Sequence, residues 1–272
     1  MGIRGFQRAL LLAIVMFAGY LPVSNANATI EVQGQWETAL PDRGRSEFQL
    51  TVGPDGSAYM LTEGRNQIVK YAADGAIGGR WRIQGERPSA ITVDSDGTVI
   101  VAVDGKLERY TGGGQRLKPW RYNFPKKAGQ PDEVSAIKSG PDGTIYVLDW
   151  LKATIFRLSP DGSYLGKFGR QGFGSGRFLL PRDLAVGPDG RIYIIESVSS
   201  QVQVFGPQGK FLEEWGGEGL GPGKFWETSR IAVDAQGQVY VTDEYLDRVQ
   251  VFDADGQFLD QIGSSGGGPG RF

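Results

Sequence analysis

The chain contains neither cysteine nor histidine. Without cysteine there is no disulfide, no thiolate nucleophile and no residue for lipid attachment. Without histidine, Ser-His-Asp and Cys-His nucleophilic chemistry is excluded, and so is His-ligated zinc. A basic block is missing too, and the formal charge is −2. Nucleic-acid affinity rests on neutralising phosphates, so no nucleic-acid partner is expected. Nor is there a long apolar run. The longest, Ala9–Leu21, is short for a bilayer span; Arg4 and Arg8 precede it and Ala26-Asn27-Ala28 follows. Residues 1–28 therefore read as a secretory signal peptide rather than an uncleaved anchor. That reading makes the protein periplasmic or secreted from a bacterium, with no membrane association after cleavage. The rest of the chain sustains no 3.6-residue apolar period, which excludes a helical fold.

What the chain has is a repeat. Phe178, Phe225 and Phe272 each close a Gly-x-Gly-basic-Phe phrase, 47 residues apart. A first set of Asp-Gly or Gln-Gly turns falls at Gly56, Gly97, Gly143, Gly190 and Gly237, and a second at Gly75, Gly114, Gly162, Gly209 and Gly256. Glycine accepts a positive φ without steric cost, so such dipeptides between apolar runs mark hairpins. The 42 glycines punctuate turns; they do not signal disorder.

One unit shows the pattern. Leu184–Val186 is strand A and Arg191–Ile195 strand B; Val202–Phe205 is strand C and Phe211–Trp215 strand D. Each is rich in residues that suit a pleated surface. Four antiparallel strands repeated at this period predict an all-β fold, a β-propeller. The units are expected at about 48–81, 88–120, 134–168, 181–215 and 228–262, within a domain of residues 29–272. Residues 29–37, with Trp36 placed like Trp81, Trp120, Phe168 and Trp215, form the outer strand of a closing blade. Residues 263–272 begin a further repeat. The expectation is a six-bladed type that is incomplete here, truncated at the C-terminus, with self-association through the open blade as a consequence; a five-bladed ring with a free tail is the alternative.

These phrases resemble the NHL repeat: Gly-x-Gly-basic-Phe, Pro181-Arg-Asp-Leu-Ala-Val186, Pro-Asp-Gly-x-Ile-Tyr, and Val-Gln-Val-Phe followed by Gly-x-Phe-Leu. The resemblance covers nearly all of residues 29–272. It implies a propeller, usually six-bladed, and says little of function. Two propeller enzymes it brings to mind, the peptidyl-hydroxyglycine amidating lyases and the streptogramin lyases, depend on histidine. Gluconolactonase-like propellers use Glu, Asn and Asp around a divalent metal.

A site is expected on the face shared by the B–C and D–A loops, which are longer and more variable than the A–B and C–D turns. At the end of strand B the five units carry Thr62, Val103, Asp149, Glu196 and Asp243. The three carboxylates are either a cation site or caps on the B–C turn. Arg177, Arg182, Lys224 and Arg230 could dock an anion or pair with those carboxylates. Trp150, Trp226 and Tyr245 could stack on a sugar, anchor a partner or wedge between blades. The Gly-x-Gly phrases lack the following helix that a phosphate site needs. The leading reading is a non-catalytic exported propeller binding a protein or a cell-envelope glycan. No cofactor is required by it, although a divalent cation is possible. The alternative is a metal-dependent, lactonase-like hydrolase.

Overall fold

The computed structural model describes residues 48–62, 66–120, 123–266 and 271. The signal segment, residues 29–37 and Phe272 lie outside the described residues. Among the described residues nineteen strands form successive antiparallel meanders. The first blade holds β1 (Phe48–Val52), β2 (Ala58–Thr62), β3 (Gln67–Tyr71) and β4 (Ile77–Arg82), and the second β5 (Pro88–Val93), β6 (Val99–Val103) and β7 (Lys106–Tyr110). The third holds β8 (Val134–Ser139), β9 (Ile145–Asp149), β10 (Thr154–Leu158) and β11 (Tyr164–Phe168). The fourth holds β12 (Pro181–Val186), β13 (Ile192–Glu196), β14 (Gln201–Phe205) and β15 (Phe211–Gly216), and the fifth β16 (Thr228–Val233), β17 (Val239–Asp243), β18 (Arg248–Phe252) and β19 (Phe258–Ile262).

The second blade departs from the four-strand plan. Among the described residues its outer edge is continued by a bridge between Tyr110 and Arg116 and by the Leu117 amide donating to the Arg109 carbonyl. Pro119 follows and has no N–H to extend a ladder.

Burial falls from the middle of each blade to its rim. The second strand of every blade is buried along its whole length, because it has a neighbouring blade or cluster on both faces. These strands accordingly read as unbroken apolar runs. The outer strands β11 and β15 alternate between half-buried and exposed positions. Four apolar clusters lie between successive blades. Inner strands β1, β5, β8, β12 and β16 adjoin in that order, and among the described residues no comparable packing joins β16 back to β1. Each end blade instead carries a cluster of its own: Ala58, Met60, Val69 and Tyr71 on the first, Ala232, Tyr240, Val249 and Val251 on the fifth.

A directional lock joins the blades. An aromatic at the outer edge of a blade sits against the C–D turn glycine of the next blade: Trp81 on Gly114, Trp120 on Gly162, Phe168 on Gly209 and Trp215 on Gly256. A methyl group on any of these glycines would run into the ring. A second lock repeats it in polar form: the hydroxyls of Tyr146 and Tyr193 donate to the carbonyls of Pro207 and Ala254 in the next blade's turn, both at 3.0 Å. In the last blade Tyr240 turns back to Asp234 and Gln238 of its own blade.

All ten A–B and C–D turns close in one way, with the glycine N–H donating to the carbonyl three residues earlier. At the second blade's A–B turn two carboxylates share this work. Asp94 accepts from the amides of Asp96 and Thr98, and Asp96 accepts from Thr98. Burial, with Asp96 alongside, pushes the Asp94 carboxyl up to about 6; hydrogen bonding holds Asp96 down at about 2.

Two outcomes follow. Gly237→Ala meets open space at φ +84° and costs about 1 kcal/mol, whereas Gly209→Ala must also displace the Phe168 ring and costs roughly 3 kcal/mol or more, read by urea unfolding. At Asp94 the folded-state value lies above the unfolded one, so this group destabilises the fold when ionised and the loss is recovered as pH falls through about 6. Asp94→Asn, which keeps an acceptor oxygen, is expected to melt higher than the parent at pH 8, with the difference closing by pH 5.

Candidate functional site

The B–C and D–A loops form one face because the chain ties them together. In blades 2 to 5 the first amide of the B–C turn donates to a carbonyl of the preceding D–A loop: Asp104 to Arg87, Trp150 to Glu133, Ser197 to Leu180 and Glu244 to Glu227. The turns of blades 1, 3, 4 and 5 then end on a residue in the left-handed region, Asn66, Ala153, Ser200 and Asp247.

The carboxylates at the ends of the second strands serve this connection. Asp149 is fully buried and accepts the amides of Asp132 and Lys152, with the Lys152 ammonium at 3.3 Å. Glu196 accepts three amides, from Leu180, Val198 and Ser199. Asp243 accepts those of Trp226 and Glu227, and the buried Arg248 approaches at 3.5 Å. Their oxygens are committed to backbone. Among the described residues no group of three or more Asp or Glu could hold a metal ion.

Arg177, Arg182 and Arg230 make no ion pair or side-chain hydrogen bond among the described residues, and Lys224 donates to the Gly216 carbonyl. The carboxylates take Lys152 and Arg248 instead, two partners absent from the sequence-based set. Nothing in the repeat marked them, since Thr154 and Gln201 hold the positions equivalent to Arg248.

The Gly-x-Gly-basic-Phe phrase resolves into packing. Phe178 and Phe225 are fully buried against Phe205 and Phe252. The stems of Arg177, Lys224 and Arg271 lie over Gly172, Gly219 and Gly266, five residues earlier. Gln203 accepts the Gly176 amide and donates to the Arg177 carbonyl; Gln250 does the same for Gly223 and Lys224. The middle residue of Val-Gln-Val-Phe is thus a buried clamp on the loop before it.

The remaining candidates are surface groups. Trp150, Trp226 and Tyr245 are 38%, 44% and 61% exposed, and Trp226 lies beside Tyr245 with ring centres 5.4 Å apart. They do not wedge between blades; Trp81, Trp120, Phe168 and Trp215 do. Among the described residues, exposed large apolar side chains fall into two sets. Ile77, Leu165, Leu212, Phe258 and Leu259 lie on outer strands. Trp150, Leu151, Phe173, Leu180, Val198, Leu220, Trp226 and Tyr245 all lie on the B–C/D–A face, which the sequence reading had reduced to its three aromatics. Two positions recur at the 47-residue period: Leu151, Val198 and Tyr245 in the B–C turns, Phe173 and Leu220 in the D–A loops. A cavity of about 100 Å³, lined by Gly105, Lys106, Leu107, Phe124, Gln130 and Pro131, opens on the same side. It is well below the roughly 300–1,000 Å³ of ordinary small-molecule sites.

The chain resembles six-bladed propellers. A family model, DUF5128, described as a 6-bladed beta-propeller, matches residues 185–238 and 233–272. No curated protein matches the chain. Among solved structures, virginiamycin B lyase from Staphylococcus aureus superposes with a TM-score of 0.58 at 18% identity, over 80% of this chain and 69% of that one. A gluconolactonase from Xanthomonas campestris gives 0.57 at 20% identity, over 79% and 74%. A chain of the nidogen/laminin complex gives 0.59 at 16%, over 78% of each. At such identities the likeness establishes the propeller fold alone.

Removing the Glu196 carboxylate strands three amides, so Glu196→Ala is expected to cost about 3 kcal/mol or more and Glu196→Gln less, at about 1–2 kcal/mol. Calcium or zinc is expected to leave the melting temperature of the parent protein unchanged.

Proposed function

We propose that this chain is an exported, non-catalytic propeller of the NHL type that binds a protein or a cell-envelope glycan through its B–C/D–A face. One observation carries the reading. Away from the outer strands, every exposed large apolar side chain among the described residues lies on that face, two of the positions recurring blade after blade. Burying such side chains returns about 1.5–3 kcal/mol each, and patches of this kind mark interaction sites. Their exposure is not a by-product of the fold, because the carboxylates and glutamines that build the loops are buried beneath them. The nidogen/laminin complex provides a precedent for a propeller-like chain in a protein assembly.

The enzymatic alternatives fare worse. A structural neighbour of the chain is a virginiamycin B lyase solved as a catalytically inactive histidine-to-alanine variant, and these 272 residues hold no histidine. Similarity to a gluconolactonase keeps the lactonase reading alive as the second choice. Asp149, Glu196 and Asp243, however, would have to abandon backbone amides to hold a metal. Export, the absence of a nucleic-acid partner and self-association through an open blade position belong to the same proposal.

Trp150→Ala combined with Tyr245→Ala is expected to abolish capture of a binding partner from bacterial envelope extract while leaving the melting temperature unchanged. Metal-dependent turnover of sugar lactones by the parent protein would reverse the assignment.

A further inference from the structure

Charge on the loop face is segregated by blade. From Gly162 to Arg182 the chain carries Lys167, Arg170, Arg177 and Arg182 and no acidic residue. Lys167 is engaged with the Ala128 carbonyl and the Phe156 ring. The three arginines are exposed, and none has an ion pair or side-chain hydrogen bond among the described residues. The B–C turn beside them, Ser197–Ser200, is uncharged, and Glu196 beneath it is buried on amides. Carboxylates resume only on either side, at Asp132 and Glu133 before and at Glu218 and Glu227 after. A chain with net charge −2 therefore presents a cationic strip along one radius of the face.

Two of the three arginines are peculiar to this blade. The residue one period after Arg170 is Gly217. Arg182 occupies the β-bulge of its inner strand, between the paired residues Pro181 and Asp183. The bulges of blades 2 and 3 hold Ser89 and Ser135 at this position, and the longer bulge of blade 5 holds Ser229 there, followed by Arg230. A bulge re-aims the side chain it carries, and at the position that follows the first paired residue of the inner strand only the fourth blade, among those with a bulge there, carries an arginine. Phe173, at 77% exposure, crowns the loop, with Leu180 and Val198 beside it in the chain and the adjoining turn.

We infer that this strip receives an acidic peptide segment of a partner protein, with aspartate or glutamate side chains against Arg170, Arg177 and Arg182 and an apolar side chain against Phe173. The inference rests on the binding reading above and narrows it. Guanidinium forks match carboxylates geometrically, and the aliphatic neighbours Leu151, Leu180 and Val198 favour peptide side chains over sugar rings, which stack on aromatics.

The test is fluorescence anisotropy with labelled twelve-residue peptides of alternating Glu and Leu, the same peptide with Lys for Glu, and polygalacturonate as an anionic glycan competitor. The acidic peptide is expected to bind at least tenfold more tightly than the basic one and to weaken as salt rises. Binding should fall at least tenfold in Arg170→Gln/Arg177→Gln/Arg182→Gln, which keeps most of each stem, and in Phe173→Ser, a substitution at an exposed loop tip. Equal binding by parent and triple variant overturns the inference, and so does polygalacturonate displacing the peptide at lower charge concentration than the peptide itself needs. The two proposals separate cleanly. If Trp150→Ala/Tyr245→Ala loses the envelope partner and the triple arginine variant keeps it, the binding function stands and the acidic-segment assignment falls.

Discussion

The structure depends on a contact that a side chain makes with the absence of a side chain. An indole or phenyl ring from one blade's outer edge lies on the turn glycine of the next blade, four times among the described residues. Those glycines hold φ between +85° and +87° at the first three positions and +77° at the last, a conformation that already favours glycine. The backbone requirement of the turn and the steric requirement of the neighbouring ring fall on one residue. That coincidence fixes the angle between blades, and the angle in turn decides which loops meet on a common face.

On this frame the loop face is built by polar groups that are engaged with the backbone. Carboxylates and glutamine amides satisfy backbone donors and acceptors, and their burial makes those bonds costly to break. Positioning is thus separated from presentation. The groups that shape the loops are hidden, and the groups at the surface are arginines and apolar side chains. The binding function proposed for this face would use that division, since affinity in protein recognition comes from desolvated apolar contacts and selectivity from charge.

Much of the architecture was legible because the turn glycines and the apolar strands share one period. In the unit read in full, Leu184–Val186 and Arg191–Ile195 differ from β12 and β13 mainly at their ends, where bulges and turn bonds decide the boundary. The second blade was harder. Its glycine-rich turn and Pro119 weaken the outer strand, and a repeat count does not report that. At the site, the carboxylates Asp149, Glu196 and Asp243 stood out by spacing, while their partners did not. Arg248 lies in a strand where a charged residue has no periodic signature, and Lys152 is an ordinary loop lysine. The exposure of Leu151, Phe173 and Val198 was invisible, since an aliphatic residue in sequence is more readily assigned to the core.

The inter-blade locks all point the same way along the chain. Trp215 reaches forward to Gly256, Tyr193 to Ala254, Asp183 to the Ile231 amide and Gln49 to the Ser89 carbonyl. Blades arranged like this are not interchangeable tiles; each is finished by a residue that leaves the ribosome some forty to sixty positions later. The molecule can therefore set like a row of bricks laid in order, every new course fixing the one before it. At any moment only the latest blade to emerge waits for its mortar; in the fifth blade the Tyr240 hydroxyl meanwhile bonds Asp234 and Gln238 of its own turn.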